Sequence, residues 1–452
     1  MKHAITKKTT TTRNMTTGPI LVHMIMFALP LMVGNIFQLL YNTVDTWVVG
    51  NFVSTEALAA VGSTTMIINI MVFFFNGLSV GCGVVISRHF GAGDQEKLHK
   101  SIETTMALTF LLSALFTVIG VLWVRPMLIF MSTPAEVIPD ATVYLRIYFA
   151  GISGLLIYNM GSGILRAVGD TTRPLYFLVI TSVLNIILDL FFVLVLGHGI
   201  DGVAYATIIS QLISAVLVVT LLSRTQDIYR LTWNDLRIDK RILAAILAVG
   251  LPTAVQSTIT SFSNVFVQSY VNYFGSAVMA GWSCYNKLDQ FVFLPMNSLA
   301  SAATTFVSQN VGAKDEKRAT KGTWEVIGLT VIITGIIAVS LIIFAVPASA
   351  IFTNDNEVIR YGALFLRLSS PFIVFNCINH TLAGALRGRG DSKAPMYIML
   401  GCFVVLRQIY LYVGTHFFVN NVYLIGLAYP VGWTMCCIIE VIYYFVKWNR
   451  KN

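Results

Sequence analysis

Charged residues are scarce in this chain. Only 11% of its 452 residues are Asp, Glu, Lys or Arg, whereas a soluble globular protein carries about 25%. Hydrophobic residues make up 56%, and the mean hydropathy is +0.75. This composition excludes a disordered protein, a coiled coil and a soluble enzyme. It predicts a protein that is embedded in a membrane.

Cysteine is also rare, and none of the six cysteines has the spacing of a zinc or redox motif. All six lie in apolar segments, where a small buried residue is the ordinary interpretation. The seven histidines are scattered without metal-ligand spacing. We therefore expect neither a disulfide framework nor a bound cofactor.

Twelve long apolar runs follow one another along the chain. A transmembrane helix needs about 20 mostly apolar residues, and these runs are too long and too continuous for the alternating strands of a β-barrel. The sequence therefore predicts an all-α polytopic membrane protein with twelve transmembrane helices. The runs cover residues 19–50, 55–87, 102–123, 138–164, 174–197, 201–223, 242–273, 277–308, 322–351, 358–385, 394–419 and 423–446.

The basic residues are distributed unequally across the predicted membrane. Net charge is +9, and 24 of the 30 Lys and Arg residues fall on the side that holds both termini. Basic loops stay in the cytoplasm. We therefore expect an even number of spans, both termini in the cytoplasm, and a location in the cytoplasmic membrane of a prokaryote.

The chain repeats itself. Residues 85–94 recur as residues 306–315, and Gly163-Ile164-Leu165-Arg166 recurs as Gly384-Ala385-Leu386-Arg387 at the same offset. Two six-span lobes in parallel orientation are typical of transporters that alternate access to a central cavity.

The repeat also divides the chain into parts. The predicted parts are a cytoplasmic tail at 1–18, an N-lobe at 19–223, a linker at 224–241, a C-lobe at 242–446 and a cytoplasmic tail at 447–452.

Polar residues lie on single helical faces within the first lobe. An acid inside a span marks a functional site by default, although acids near helix ends can simply meet water. Two such acids with amide and hydroxyl neighbours offer a proton site or an oxygen-ligand site for sodium. The residues are Asn35, Gln38, Asn42 and Asp45 in span 1, Ser182, Asn185 and Asp189 in span 5, and Thr207 in span 6.

The second lobe breaks the symmetry. Val267 occupies the position of Asp45, so we expect cation coupling in the first lobe. Lys287 and Asp289 are either a local polar cluster or, for Asp289, a substrate contact. Together with the span 1 amides, the expected substrate-cavity residues are Asn35, Gln38, Asn42, Asn264, Asp289 and Arg407.

Glycines four residues apart in span 2 predict close helix packing. Gly77-Leu78-Ser79-Val80-Gly81 also matches the G-x-S-x-G motif of hydrolases, but it lies inside a span and no His/Asp partner is evident. Small residues at this spacing let two helix backbones approach. We therefore do not expect an enzyme.

The chain resembles the multidrug and toxic compound extrusion (MATE) family of the multidrug/oligosaccharidyl-lipid/polysaccharide exporter superfamily. The resemblance rests on Pro30 followed by Asp45-x-x-x-Val49-Gly50, and on the loops 88–94 and 165–174 with their copies. It implies two lobes in a V and an N-lobe cation site formed by Asp45, Tyr144, Asn185, Asp189 and Thr207. Span 7 lacks the acid that some members carry there.

These observations predict a cation-coupled efflux antiporter. Small amphipathic, often cationic, compounds would leave in exchange for H⁺ or for Na⁺ held by Asp45, Asn185, Asp189 and Thr207, with Pro30 as a hinge. The alternative is a lipid-linked oligosaccharide or polysaccharide flippase, whose cavity needs several Lys or Arg. We expect a monomer in the bilayer that binds small molecules and no nucleic acid.

Overall fold

The computed structural model describes residues 12–131 and 133–449, and no strand occurs among them. Eleven of the described helices are long and apolar enough to cross a membrane, and a bent pair supplies a twelfth. This confirms the predicted all-α polytopic fold. The outer parts of both predicted tails, residues 1–11 and 450–452, lie outside the described residues.

Among the described residues, the first lobe has seven α-helices, and one of them continues into a π-helical segment. The fourth span is broken at Gly151, where two helices meet at 46°. A Cβ at Gly151 would lie 2.4 Å from the Ile208 Cβ, so the glycine lets the broken span approach its neighbour. The helices are α1 (Ile20–Phe52), α2 (Thr55–Gly91), α3 (Gln95–Phe130), α4 (Ile138–Ala150), α5 (Ile152–Ala167), α6 (Thr172–Leu190, then π-helical Phe191–Val195) and α7 (Ile200–Arg224).

The second lobe repeats this plan with more irregular helices. The eleventh span of the chain, for example, lies in this lobe and alternates between α-helical and π-helical turns. The helices are α8 (Lys240–Asn272), α9 (Ser276–Gly312), α10 (Glu316–Ile343), α11 (Ala345–Ala350), α12 (Asn356–Gly388), α13 (Lys393–Leu400, then π-helical Gly401–Leu406), α14 (Arg407–Val413, then π-helical Gly414–Phe418), α15 (Val422–Gly426) and α16 (Ala428–Tyr444, then π-helical Phe445–Asn449).

The sequence repeat is also a repeat of loop geometry. Asp94 and Asp315 occupy equivalent positions, and each carboxylate accepts a hydrogen bond from the backbone N–H three residues ahead, at 3.1 and 2.9 Å. Gly169 and Gly390 both adopt left-handed backbone, with φ of 84° and 87°. The same residues therefore end and restart helices in both halves.

Lys314 carries strain that its counterpart avoids. Gly93 has φ of 68°, and Lys314, at the equivalent position, has φ of 61°. Left-handed backbone at a residue with a side chain costs roughly 1 kcal/mol or more, and this cost is partly offset because glycine has greater freedom in the unfolded chain.

We expect Lys314→Gly to stabilise the protein by about 0.5 kcal/mol, measured as a higher thermal unfolding temperature. Gly93→Ala should lower that temperature, and a fall with Lys314→Gly would contradict the account.

The two lobes meet at the terminal end of the bundle, which holds the first and last described segments of the chain, near Met15 and Lys447. At the end of α2, a Cβ on Gly91 would lie 2.0 Å from the carbonyl oxygen of Gln309 in α9. Reciprocally, a Cβ on Gly312 would lie 2.0 Å from the carbonyl oxygen of Arg88. Gly91 and Gly312 are counterparts in the repeat, so the seam between the lobes is pseudo-symmetric and allows no side chain at its centre.

Close packing continues up α2, as the glycine spacing predicts. A Cβ on Gly77 would lie 2.4 Å from the backbone nitrogen of Ala254, and one on Gly81 would lie 2.4 Å from the carbonyl oxygen of Ile246. Both partners belong to α8, the first helix of the other lobe. Ile246 is itself buried in the hydrophobic core of the first lobe.

Helix α1 crosses from one lobe to the other. Met24 and Phe27, in its first half, are fully buried in a cluster with residues of α9, α10 and α12. In its second half, Gly34 approaches α6, where a Cβ would lie 3.4 Å from the side chain of Leu178. Pro30 lies between these two contacts. The predicted hinge therefore lies where the helix changes partner.

The N-terminal segment is held between the lobes at the same end. The backbone N–H of Met15 donates to the side-chain oxygen of Gln309 at 2.9 Å, and the Gln309 amide donates to the carbonyl of Ala167 at 3.0 Å. Arg318 donates to the carbonyl of Gly18 at 2.8 Å. Gln309 thus joins the tail, the first lobe and the second lobe in one hydrogen-bonded junction.

Candidate functional site

Two carboxyl groups meet in the interior of the first lobe. Asp45 comes from the second half of α1, and Asp189 lies at the end of α6, immediately before the π-helical segment Phe191–Val195. The two groups lie within electrostatic reach of each other, and Asp189 is 0% exposed. Packing of α1 on α6 brings them together, and wide helical turns of this kind recur at functional sites.

Polar atoms around the pair are left without partners. Among the residues that the structure describes, Asp189 has no hydrogen-bond partner at either carboxylate oxygen, and Asp45 has none at Oδ1. Asn185, one turn before Asp189, has none at its amide oxygen or nitrogen. A buried, ionised carboxylate without a partner costs several kcal/mol. The arrangement suits a proton or a small cation that takes oxygen ligands.

Tyr144 and Thr207 complete the predicted set. The Tyr144 side chain is 7% exposed and lies within electrostatic reach of both Asp45 and Asp189. Thr207 on α7 donates its hydroxyl to the carbonyl of Val203 at 3.0 Å, so its oxygen lone pairs remain free to accept or to coordinate. The structure therefore gathers all five residues of the predicted coupling site in one lobe.

A cavity of about 110 Å³ with both polar and apolar walls lies between α1, α5, α6 and α7. This volume holds several water molecules. The residues predicted from the sequence that line it are Pro30, Asn35, Gln38, Ser182, Asn185 and Thr207.

Several further residues of the cavity wall were not predicted from the sequence. Those on α5 are separated by about three and four residues, which is the spacing of side chains on one helical face. This spacing could have placed them together from the sequence. They are Tyr41 on α1, Leu155, Tyr158, Asn159 and Arg166 on α5, and Ser210 on α7.

The remaining predicted cavity residues lie elsewhere. Asn42 and Asn264 are exposed at equivalent positions of α1 and α8. Asp289 and Arg407 are buried in the second lobe, and both interact with Tyr429. The Arg407 guanidinium lies 4.7 Å from the centre of the Tyr429 ring. The structure thus divides the predicted substrate residues among three places.

At the position equivalent to Asp45, the second lobe is apolar. Val267 is fully buried in the core between α8, α9 and α12. The carboxyl pair of the first lobe therefore has no copy at this position in the second lobe.

Both halves of the chain match one protein family. The MatE family profile matches residues 30–191 and again residues 252–413. The chain is 28% identical to the probable multidrug resistance protein YoeA of Bacillus subtilis, over 95% of this chain and 94% of the relative. It is 26% identical to the probable multidrug resistance protein NorM of Thermotoga maritima, over 83% and 81% of the two chains.

Solved structures share the fold. A transporter of the MOP superfamily from Pyrococcus furiosus superposes with a TM-score of 0.91 at 23% identity, covering 98% of this chain and 99% of its own. A multidrug resistance MATE family transporter in an outward-facing conformation gives the same values. Fold, repeat and family profile agree along the chain. It belongs to the MatE family and is a membrane transporter, not an enzyme.

Proposed function

We propose that the protein exports small amphipathic, often cationic, compounds in exchange for H⁺ or Na⁺. The coupling ion is taken up at Asp45 and Asp189. The observation that carries this proposal is the carboxyl pair, since both oxygens of Asp189 and Oδ1 of Asp45 are buried without a hydrogen-bond partner among the described residues. The relatives described as multidrug resistance proteins support the substrate class.

The coupling rests on the difference between a charged and a neutralised site. When the ion leaves, an ionised Asp189 in a dry environment is unstable, and the lobe must rearrange or admit water. Asp45 lies on α1, the helix that crosses between the lobes at Pro30. A change at the carboxyl pair is therefore transmitted along one helix to the seam, by bending at Pro30.

The energy of this exchange is sufficient for export. For an uncharged compound, one ion that crosses a membrane potential of 100 mV releases roughly 2.3 kcal/mol, whereas for a cationic compound the concentration gradient of the ion supplies the energy, at about 1.36 kcal/mol per factor of ten. We place both termini in the cytoplasm on the basis of the Lys and Arg distribution, and the protein works as a monomer. Closure of the lobes at the terminal end is then closure toward the cytoplasm.

The cavity argues against the flippase alternative. A lipid-linked pyrophosphate needs several cationic side chains around it. Arg166 is the only Lys or Arg that lines the N-lobe cavity within the described part of the chain. Export of compounds with low charge fits this wall better.

Transport driven by one gradient at a time tests the proposal. Purified protein is reconstituted in liposomes, and movement of the fluorescent cation rhodamine 6G is followed under an imposed pH gradient and, separately, under an imposed Na⁺ gradient. We expect uphill transport under at least one gradient and collapse when that gradient is dissipated. Transport that is indifferent to both gradients would refute the coupling. Flipping of a lipid-linked sugar would establish the alternative.

A further inference from the structure

We infer that the N-lobe cavity binds the anionic group of a substrate at Arg166. This inference rests on the proposed export function and adds a chemical class to it, namely amphipathic compounds that carry one carboxylate or phosphate. Arg166 is in the last turn of α5, partly buried, and lines the cavity. Its guanidinium makes no hydrogen bond to any of the described residues, and among them Tyr158 is the one titratable group within its electrostatic reach.

The repeat supplies an internal comparison. Arg387 occupies the equivalent position in the second lobe, and there the guanidinium has partners. It donates to the side-chain oxygen of Gln256 at 2.9 Å. It also faces the carboxylate of Glu440, which is 0% exposed. In the second lobe the arginine therefore has a side-chain hydrogen-bond acceptor and an acid within electrostatic reach.

Both partners are missing from the first lobe. Gln256 lies four residues after Pro252, and the residue four after Pro30 is Gly34, which lines the cavity and offers no side chain. Alignment of Tyr205 with Tyr429 places Val216 opposite Glu440, and Val216 is 64% exposed on the outside of α7. In the second lobe the Gln256 side chain occupies the space beside the arginine. In the first lobe the equivalent space is open cavity.

The nearest acid in the sequence is engaged elsewhere. Asp170 lies four residues after Arg166, but it pairs with Arg173 at 3.4 Å and accepts hydrogen bonds from the backbone of residues 172 and 173. A guanidinium in the wall of a cavity, partly buried and without an anionic partner, is unfavourable. The planar Arg166 guanidinium, with its N–H donors in a fixed arrangement, fits a carboxylate or a phosphate best.

The anion site is separate from the coupling site. Both Thr171 and Asn185 line the cavity, and fourteen residues of helix between them correspond to about 21 Å. Arg166 lies at the Thr171 end, whereas the carboxyl pair lies beyond Asn185. A bound anion therefore sits far from Asp45 and Asp189, where it would otherwise be repelled. One guanidinium suits one anionic group.

A matched pair of small probes tests the assignment. Binding of 2-naphthoate and of its uncharged analogue 2-naphthamide to the purified protein is measured by intrinsic probe fluorescence at neutral pH. We expect the wild type to bind the carboxylate at least about 10-fold more tightly. Arg166→Gln should weaken 2-naphthoate binding by about 10-fold to 100-fold, as loss of a charge-assisted contact does, and should leave 2-naphthamide unchanged. Arg166→Lys should restore part of the affinity.

Arg173→Gln is the matched control, because it removes the same charge at the same end of the lobe but outside the cavity wall. It should leave the preference for 2-naphthoate intact. Equal binding of the two probes by the wild type would overturn the inference without any variant, and so would an equal effect of both substitutions. Export of rhodamine 6G, which has no free carboxylate, reports on the proposed function alone, so failure of one idea is distinguishable from failure of the other.

Discussion

Asp189→Asn is expected to leave the fold and substrate binding in place and to abolish ion-driven accumulation. The amide has the shape of the carboxyl group, and it removes a buried charge that the described residues do not compensate. Replacement of an uncompensated buried charge does not destabilise a protein. The site then can neither gain nor lose a proton, and it cannot hold Na⁺ by charge.

The expected size of the effect follows from the driving force. Rhodamine 6G carries one positive charge, so its one-for-one exchange for H⁺ or Na⁺ moves no net charge and is driven by the ion gradient alone. An ion gradient of about 50-fold supplies roughly 2.3 kcal/mol at 1.36 kcal/mol per factor of ten, which supports a substrate gradient of about 50-fold. Without a group that changes charge, the substrate gradient has no link to the ion gradient and falls to about one. The measurement is the steady-state distribution of rhodamine 6G across proteoliposomes under the gradient that drives the wild type.

Asp201→Asn is the control for this variant. Asp201 belongs to the same lobe and pairs with His198 at 2.8 Å, but its side chain is 31% exposed. Its loss should change accumulation little, because exposed pairs contribute little. Asp45→Asn should behave as Asp189→Asn does. Full accumulation in both carboxyl variants would rule out the carboxyl pair as the coupling site.

The fold was largely predictable because each of its signals is local or repeats along the sequence. Long apolar runs give the spans, and the recurrence of residues 85–94 gives the two lobes. The break at Gly151 was not predictable, because an isolated glycine in an apolar run marks neither a bend nor a straight helix. The bend depends on Ile208, a neighbour distant in sequence.

The candidate site was predictable in its acids but not in its walls. Asp45 and Asp189 stand out because a charge in an apolar run is rare. Arg166 did not stand out, because it follows the fourth apolar run and was counted with the basic loops. Two features of the structure distinguish Arg166 from a loop residue. Helix α5 packs along the cavity, and the equivalent Arg387 has Gln256 and Glu440 beside it, whereas Arg166 lacks such partners.

Gly91→Ala is expected to prevent the two lobes from closing at the terminal end. The added methyl group would lie 2.0 Å from the carbonyl oxygen of Gln309 and 2.6 Å from its carbonyl carbon. Both are backbone atoms, which cannot rotate away as a side chain can. Overpacking of this kind costs typically 1–3 kcal/mol, so the closed state should lose about 5-fold to 100-fold in population. Each lobe keeps its own core and should stay folded.

Distance measurements between spin labels at Lys100→Cys and Lys321→Cys test this expectation. These residues are exposed counterparts on α3 and α10, one on each lobe, whereas the six native cysteines are buried. Gly328→Ala is the control, since a Cβ there meets no atom within 4 Å. The label distance should lengthen in Gly91→Ala and stay constant in the control. An unchanged distance in Gly91→Ala would mean that the seam tolerates a methyl group. Substrate export should fail together with closure, because alternating access needs both ends of the bundle to close in turn.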